Sequence, residues 1–258
     1  MEILITGGNG YVASRLHNVL KLKHDVVCLT RNNFDLTNNR FVNHFFNFKK
    51  FDVVLHCAVS GGSRLKQDTI DVIDNNLQMY YNLLSNRHAY KKLISFGSGA
   101  ELNKLTEPYG LSKHIIRQSI LEKENFYNIR IFAVFDEYEL NTRFIKANIK
   151  KYINKESLII HQNKYMDFFN MLDLISIVEY VMLNDDAPKE IDCTYSKSNT
   201  LFEIAEMINN LDEHKVSIKV ENPTLDVPYV GKYTPLGIEY IGLESSIKNT
   251  YNILKNEY

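Results

Sequence analysis

The first thirteen residues constrain the fold of this chain more than any other stretch. They read MEILITGGNGYVA, in which the apolar run Ile3-Leu4-Ile5 breaks into a cluster of glycines and a helical pattern follows. That order predicts a buried strand, a tight turn and a helix. Backbone N–H groups in such a turn, at the positive end of the helix dipole, can bind a diphosphate. The segment therefore favours dinucleotide binding over an ordinary glycine-rich hairpin.

The spacing within this turn gives each small residue a role. The pattern is Gly7-x-x-Gly10-x-x-Ala13. Gly7 suits the tight turn, Gly10 leaves space for the diphosphate, and Ala13 lets the helix lie close to the strand. We therefore expect Gly7 and Gly10 to belong to a cofactor site.

The alternation of strand and helix continues through the first half of the chain. Further apolar strands are predicted at residues 26–29, 51–56, 92–96 and 128–134, with a short or irregular helical return over 40–48 and long helices over 69–87 and 106–123. Thr106 is the expected cap of the last helix. Apolar strands that alternate with helices form a parallel sheet covered on both faces. The prediction is an α/β fold with a doubly wound parallel sheet, the Rossmann fold, whose ligands bind at the carboxyl ends of the strands.

After Phe135 the pattern weakens. Short strands are predicted at 158–160 and 191–193, a loop at 222–235, and helices at 173–183, 201–209 and 243–254. We expect residues 1–135, with returning segments near 170–195, to form the dinucleotide-binding domain. Residues 136–258 should mostly form a smaller, interleaved substrate-binding lobe.

Composition excludes several classes of function. A formal net charge of −1 favours neither nucleic acid nor an anionic membrane as a partner, and the lysines at 146, 150, 151 and 155 fit a solvated helix face. No apolar run approaches the roughly 18 residues of a spanning helix, and no signal peptide is expected before the first strand. Cys28, Cys57 and Cys193 are predicted to be buried thiols in a reducing, cytoplasmic environment, and no metal site is expected.

The end of the second strand bears on the choice of cofactor. An acidic residue that binds the ribose of NAD is expected about twenty residues after the glycines. That place holds Thr30-Arg31. Arg31 can pair with a 2′-phosphate, which favours NADP(H). NAD(H) stays possible if Arg31 is a solvated loop charge and Asp35 binds the ribose.

Three residues form the predicted catalytic set: Ser98, Tyr109 and Lys113. Tyr109 and Lys113 are four residues apart on one helix face, so that the ammonium can lie beside the phenol and favour its ionised form. Ser98 ends the fourth strand, where its hydroxyl can bind the same substrate oxygen. Together they would protonate a carbonyl oxygen as hydride arrives at its carbon. The same Tyr-x-x-x-Lys spacing recurs at Tyr251 and Lys255, which we interpret as a surface pair.

These segments together resemble the extended short-chain dehydrogenase/reductase family, in its nucleotide-sugar-modifying branch. The matching stretches are TGGNGYVA (6–13), HCA (56–58), FGSGA (96–100), PYGLSK (108–113) and DFFNMLD (167–173), together with Asn76 and Asn82. The resemblance covers nearly the whole chain.

The resemblance implies an oxidoreductase with a nicotinamide cofactor and a nucleotide-sugar substrate. Carried over residue by residue, it assigns cofactor binding to Gly7, Gly10, Tyr11, Val12, Arg31, Asp35, Leu36, Cys57, Ala58, Val59, Tyr109, Lys113, Phe132 and Val134. It assigns substrate binding to Ser98, Gly99, Ala100, Tyr109 and Arg143. Relatives pair their two long helices into a homodimer, and Tyr80, Tyr81, Ile115 and Ile116 are expected to supply apolar surface for that contact.

Two departures narrow the expected reaction. Within this branch the chain is most similar to the GDP-fucose synthases, which both epimerise and reduce a 4-keto sugar. Their proton-shuttling cysteine and histidine correspond here to Ala100 and Arg143, and the Asp-Glu pair of the 4,6-dehydratases corresponds to Gly99-Ala100. Neither alanine nor arginine exchanges protons near neutral pH. The expectation is therefore NADPH-dependent reduction of a C4 ketone without epimerisation.

Two other functions stay open on the sequence alone. One is a 4-epimerase, or a bifunctional epimerase-reductase, that keeps its NAD(P) bound. The other is a non-catalytic NADP-binding regulatory protein, whose sequence mark would be loss of Tyr109 or Lys113; both are present.

Overall fold

The computed structural model describes residues 1–63 and 66–256. The strands are β1 (Glu2–Thr6), β2 (Asp25–Leu29), β3 (Phe51–His56), β4 (Tyr90–Ser98), β5 (Phe126–Ile131), β6 (Val134–Phe135), β7 (Leu158–Gln162), β8 (Phe169–Asn170), β9 (Glu190–Cys193) and β10 (Ile218–Asn222). The helices are α1 (Tyr11–Leu20), α2 (Asn39–Phe48), α3 (Asp71–Ser85), α4 (Ala100–Asn103), α5 (Pro108–Leu121), α6 (Phe144–Ile153), α7 (Met171–Leu183), α8 (Leu201–Asn209) and α9 (Leu243–Lys255).

The central sheet has six strands in the order β2-β1-β3-β4-β5-β9. β1 pairs in parallel with both β2 and β3, and β3 pairs in parallel with β4. Thr6, at the end of β1, lies opposite Leu29 on one side and His56 on the other. The strand that follows β1 in the chain, β2, lies on one side of it, and the next strand, β3, lies on the other. The strand order therefore reverses between β1 and β3, and sheets of this kind bind ligands at the carboxyl ends of the strands at such a switch point. The predicted doubly wound α/β fold is confirmed.

The chain divides into two compact units. The first comprises Met1–Arg130 and Val178–Ile191, and the second comprises Ile131–Ile177 and Asp192–Tyr258. Each has its own apolar core: Leu4, Val54 and Tyr80 are fully buried in the first, and Ile149 and Ile204 are fully buried in the second. Two small parallel pairs, β6 with β8 and β7 with β10, lie outside the central sheet.

Two helices differ from the sequence prediction. The return over 40–48 is a complete ten-residue helix, α2, because the Asn38 side chain accepts a hydrogen bond from the Phe41 N–H at 3.1 Å and caps it. Helix α5 begins at Pro108, so Thr106 is not its cap. The fixed backbone angle of proline suits the first position of a helix. No α-helix in the described part of the chain is long and apolar enough to cross a membrane.

Candidate active site

The glycine turn after β1 has the shape of a diphosphate cradle. Gly7 has a φ of +72°, and a Cβ there would lie 2.7 Å from the backbone of Ala58. The Gly10 N–H donates to the Gly7 carbonyl at 2.8 Å, and Gly10 precedes α1 with extended backbone angles and no capping side chain. Tyr11 and Val12 then open α1. The turn therefore fits an anionic ligand at the helix N-terminus, as the sequence predicts.

Six of the twelve predicted cofactor residues of the first unit line one cleft. Gly7, Arg31, Asp35, Leu36, Ala58 and Val59 do so, together with Thr6, Leu29, Phe34, Thr37, Ser60, Asn75 and Met79. The sequence reasoning missed Phe34, Asn75 and Met79, which add apolar and amide surface. Phe132 and Val134 are buried residues of the second unit.

Arg31 and Asp35 are near neighbours in the wall of this cleft. Asp35 Oδ1 accepts hydrogen bonds from the Thr37 N–H at 3.0 Å and the Thr37 hydroxyl at 2.8 Å. The backbone hydrogen bond from Thr37 lowers the pKa of the Asp35 carboxyl, and the Arg31 charge lowers it further. Asp35 is therefore ionised and already engaged within its own turn, while the exposed Arg31 side chain faces solvent.

The predicted thiols and histidine at the ends of β2 and β3 are not proton carriers. The Thr6 hydroxyl accepts a hydrogen bond from the Ala58 N–H at 3.2 Å and lies 3.2 Å from His56 Nδ1. Burial lowers the pKa of His56 to about 3, and the Lys113 charge adds to this, so the imidazole is neutral at physiological pH. Burial likewise raises the pKa of the Cys57 thiol. Cys193 is buried as predicted, but Cys28 and Cys57 are only half-buried. Both lie against the glycine turn, since a Cβ at Gly8 would lie 2.8 Å from Cys28 Sγ and a Cβ at Gly7 would lie 3.0 Å from the Cys57 backbone.

Tyr109 and Lys113 lie together near the start of α5. The Lys113 ammonium donates to the Phe96 carbonyl at 2.7 Å and lies 5.9 Å from the centroid of the Tyr109 ring. Burial lowers the pKa of Lys113, and the charge of Glu101 opposes that effect. Gly62 packs on the face of the Tyr109 ring, since a Cβ at Gly62 would lie 2.8 Å from Tyr109 Cε2. The spacing predicted on the helix thus becomes a close cation–phenol pair.

Ser98 ends β4 and begins a tight turn into α4. Its side chain is almost buried, and its Oγ accepts a hydrogen bond from the Ala100 N–H at 3.3 Å. Gly99 and Ala100, the other predicted substrate residues of this turn, are buried as well. The turn thus provides the Ser98 hydroxyl, whereas position 100 holds an alanine, which has neither an acidic nor a basic side chain.

Two asparagines of α3 tie the cleft loops to the helices. Asn76 Oδ1 accepts from the Ser60 N–H at 2.7 Å, and its amide donates to the Ser60 carbonyl at 3.0 Å and to Ser112 Oγ at 2.9 Å. The amide of Asn82 donates to the Leu36 carbonyl at 2.7 Å. Both asparagines belong to the pattern that suggested the family, and their contacts explain why amides stand at these places.

Arg143, the remaining predicted substrate residue, belongs to the second unit. It is half-buried and immediately precedes α6. Nearby, Glu139 accepts a hydrogen bond from the Lys146 N–H at 3.2 Å, and burial raises the pKa of its carboxyl to about 8. Lys146 donates to the carbonyls of Glu137 and Glu139, so it is not the purely solvated lysine that the sequence suggested.

The DFFNMLD stretch fixes the C-terminal loops of the second unit. Asp167 accepts from the Gly231 N–H at 2.8 Å, and Asp173 accepts from the N–H groups of Ile241 and Gly242 at 2.9 and 3.2 Å. These carboxylates therefore serve structure. Across residues 1–63 and 66–256, no group of three or more histidine, cysteine, aspartate or glutamate side chains could hold a metal ion.

The comparisons with known proteins agree with this fold. Residues 3–193 match the NAD dependent epimerase/dehydratase family, and the chain belongs to that family. The predicted family and the class of nicotinamide-dependent oxidoreductase are thereby confirmed. A comparison with curated protein sequences gives no significant match.

Three solved structures illustrate the likeness of fold. A GDP-mannoheptose C4 reductase from Campylobacter jejuni with NADP bound has 19% identity and a TM-score of 0.79, over 98% of each chain. A GDP-L-fucose synthetase from Naegleria fowleri bound to NADP has 16% identity and a TM-score of 0.78, over 99% of this chain and 93% of that one. A UDP-N-acetylglucosamine 4-epimerase from Bacillus cereus has 18% identity and a TM-score of 0.80, over 99% and 96%. The fold is thus shared by reductases and epimerases alike.

Proposed function

We propose that the protein reduces the C4 ketone of a nucleotide-linked 4-keto-6-deoxy sugar with NADPH, without epimerisation. The observation that carries this proposal is the Tyr109–Lys113 pair, whose ammonium donates to the Phe96 carbonyl two residues before Ser98, in the same unit as the dinucleotide-type glycine turn. The similar structures include enzymes that act on GDP- and UDP-linked sugars, which supports a nucleotide sugar as the substrate class.

The side chains have distinct roles in this reaction. Tyr109 donates its hydroxyl proton to the C4 oxygen, and the Lys113 ammonium stabilises the phenolate that is left. The Ser98 hydroxyl hydrogen-bonds the same oxygen and orients the ketone. The nicotinamide, when bound, supplies the hydride that C4 accepts. The ketone thus gains one hydride and one proton and becomes an alcohol.

The preference for NADPH rests on Arg31. Its side chain lines the cleft, whereas Asp35 is engaged by Thr37. Arg31→Ala should remove a charge-assisted hydrogen bond to the 2′-phosphate and narrow the ratio of NADH to NADPH dissociation constants by about tenfold. Fluorescence titration of both nucleotides measures this ratio. Arg40→Ala, an exposed arginine outside the cleft lining, is the control. Equal binding of NADH and NADPH to the unchanged protein would show that Arg31 is not a phosphate ligand.

The absence of epimerisation has a direct test. Ala100 cannot exchange protons, and the predicted second position holds the permanent cation Arg143. The protein is supplied with NADPH and a panel of 4-keto-6-deoxy sugar nucleotides in deuterated water, and the product is examined by NMR. We expect NADPH consumption with no deuterium at C3 or C5. Deuterium at either carbon would identify an epimerase-reductase, and tightly bound cofactor without net consumption of NADPH would identify an epimerase.

We also propose that the protein forms a homodimer, although two of the residues expected to supply its contact surface are buried. Of the four residues expected to supply contact surface, Tyr80 and Ile116 are buried in the core of the first unit. Tyr81 is 44% exposed and Ile115 is half-buried. Light scattering at micromolar concentration should give twice the 30.0 kDa mass of the chain, and the monomer mass alone would contradict the proposal.

A further inference from the structure

Glu101 is a fully buried carboxylate at the end of β4. Its Oε2 accepts a hydrogen bond from the Ser98 N–H at 3.1 Å. Its Oε1 accepts from Asn128 Nδ2 and from Arg130 Nε, each at 2.7 Å. One side chain thus joins the catalytic serine to β5.

The backbone beside Ser98 is built around this carboxylate. A Cβ at Gly97 would lie 2.6 Å from Glu101 Oε2 and 2.7 Å from Asn128 Oδ1, so the strand end approaches both groups as only glycine can. The Glu101 carbonyl also lies 3.0 Å from Nδ1 of His114, the residue that follows Lys113 on α5. Glu101 therefore contacts both the segment that carries Ser98 and the helix that carries Tyr109 and Lys113.

The charges around Glu101 alternate in sign. Arg130 is shared between Glu101 and Glu190, and Glu190 is also paired with Arg117. Glu190 and Arg117 are partly exposed, whereas Glu101 and Arg130 are buried. A buried carboxylate and guanidinium stabilise each other only as a hydrogen-bonded pair, and Glu101 and Arg130 form such a pair.

Lys113 needs a nearby anion because it is a buried ammonium whose hydrogen bond goes to a neutral carbonyl. Glu101 accepts from the Ser98 N–H, two residues along β4 from the Phe96 carbonyl to which Lys113 donates. The other titratable groups that interact with Lys113 are Cys57 and His56 from the end of β3 and Tyr109 from its own helix. His56 is neutral and the Cys57 thiol is protonated, for the reasons given above. Glu101 is thus the carboxylate of this group.

We propose that Glu101 is a positioning residue for the reaction: its carboxylate fixes the Ser98 backbone and supplies a negative charge at the strand end to which the Lys113 ammonium donates. Nothing in the chemistry of ketone reduction requires a glutamate at this position. The glutamate is required instead by the buried amide, guanidinium and ammonium groups around it, because each of them gains a hydrogen bond or a compensating charge from the Glu101 side chain.

The test compares Glu101→Gln with Glu190→Gln in the full chain. Both substitutions remove a carboxylate from Arg130, but only the first removes the group that contacts Ser98 and the surroundings of Lys113. With lysine labelled at ¹³Cε, and with Lys113→Arg for assignment, NMR follows the titration of Lys113 without any substrate. Glu101→Gln should lower the pKa of Lys113 by about one pH unit, and Glu190→Gln should leave it unchanged. An unchanged pKa in Glu101→Gln, or an equal change in both variants, overturns the proposal.

If Glu101→Gln does not fold, the double variant Glu101→Gln/Arg130→Met replaces it, because it leaves no unpaired buried guanidinium. The same lowering of the Lys113 pKa is expected in the double variant, and an unchanged Lys113 pKa would again overturn the proposal. The consequence for activity rests on the proposed function: the alkaline limb of the kcat/KM profile should move to lower pH in Glu101→Gln alone. Failure to reduce any keto sugar would refute the proposed function, and the Lys113 titration would still decide the role of Glu101.

Discussion

Tyr109→Phe is expected to slow ketone reduction by at least about a hundredfold, the effect typical of a lost general acid. The phenylalanine ring keeps the packing against Gly62, and Lys113 keeps its hydrogen bond to the Phe96 carbonyl. Only the proton donor is removed. NADPH binding, measured by fluorescence titration, should therefore survive, while the rate of NADPH oxidation falls.

The chain itself offers a matched control for this experiment. Tyr251 and Lys255 repeat the spacing of Tyr109 and Lys113, with the ammonium 5.3 Å from the ring centroid. Both side chains contact Asp212, and neither contributes to the glycine-turn cleft. Tyr251→Phe should leave the reduction rate near that of the unchanged protein. A Tyr109→Phe protein that reduces its substrate at a normal rate would rule out Tyr109 as the proton donor.

Gly7→Ala should weaken NADPH binding by more than about tenfold. A non-glycine residue at positive φ costs on the order of 1–3 kcal/mol, and the new Cβ would also lie 2.7 Å from the Ala58 backbone. The turn can relieve that contact only by moving away from β3, which opens the cradle. Since about 1.4 kcal/mol corresponds to a tenfold change in affinity, even part of this cost is measurable.

Gly237→Ala separates the steric effect from backbone strain. Gly237 has a φ of +68°, close to that of Gly7, but a Cβ there would meet nothing within 4 Å. Its substitution should lower the melting temperature modestly and leave NADPH affinity intact. If Gly7→Ala bound NADPH as tightly as Gly237→Ala does, the turn would not be the diphosphate site.

The features that sequence predicted well depend on residues close together in the chain. The glycine turn follows β1 directly, and Tyr109 and Lys113 share one helical face, so local spacing determines their geometry. Strands β1 and β2 were predictable because their apolar runs, residues 3–5 and 26–29, are uninterrupted. The full length of α2 was missed although Val42 and Phe46, four residues apart, form a buried stripe that its sequence already contains.

The features that sequence missed depend on partners far apart in the chain. Nothing in the sequence around Glu101 marks it as special, because its partner Arg130, which also pairs with Glu190, comes close to it only in the folded sheet. Tyr251 was interpreted as a surface residue because it precedes a lysine near the C-terminus, yet it is 4% exposed in the core of the second unit. In both cases burial, which no short pattern encodes, decides the role.

The path of the chain between the two units governs the order in which the sheet can form. β9 is the edge strand beside β5, yet it lies beyond the first segment of the second unit. During synthesis the sheet therefore lacks its edge strand β9 until residues 190–193 have left the ribosome. Until then Arg130 also lacks its ion-pair partner Glu190. A fragment cut at residue 135 would contain the glycine turn, Ser98, Tyr109 and Lys113, but would expose the unpaired edge of β5 to other chains. The first unit is thus complete only when residues 178–191 join residues 1–130.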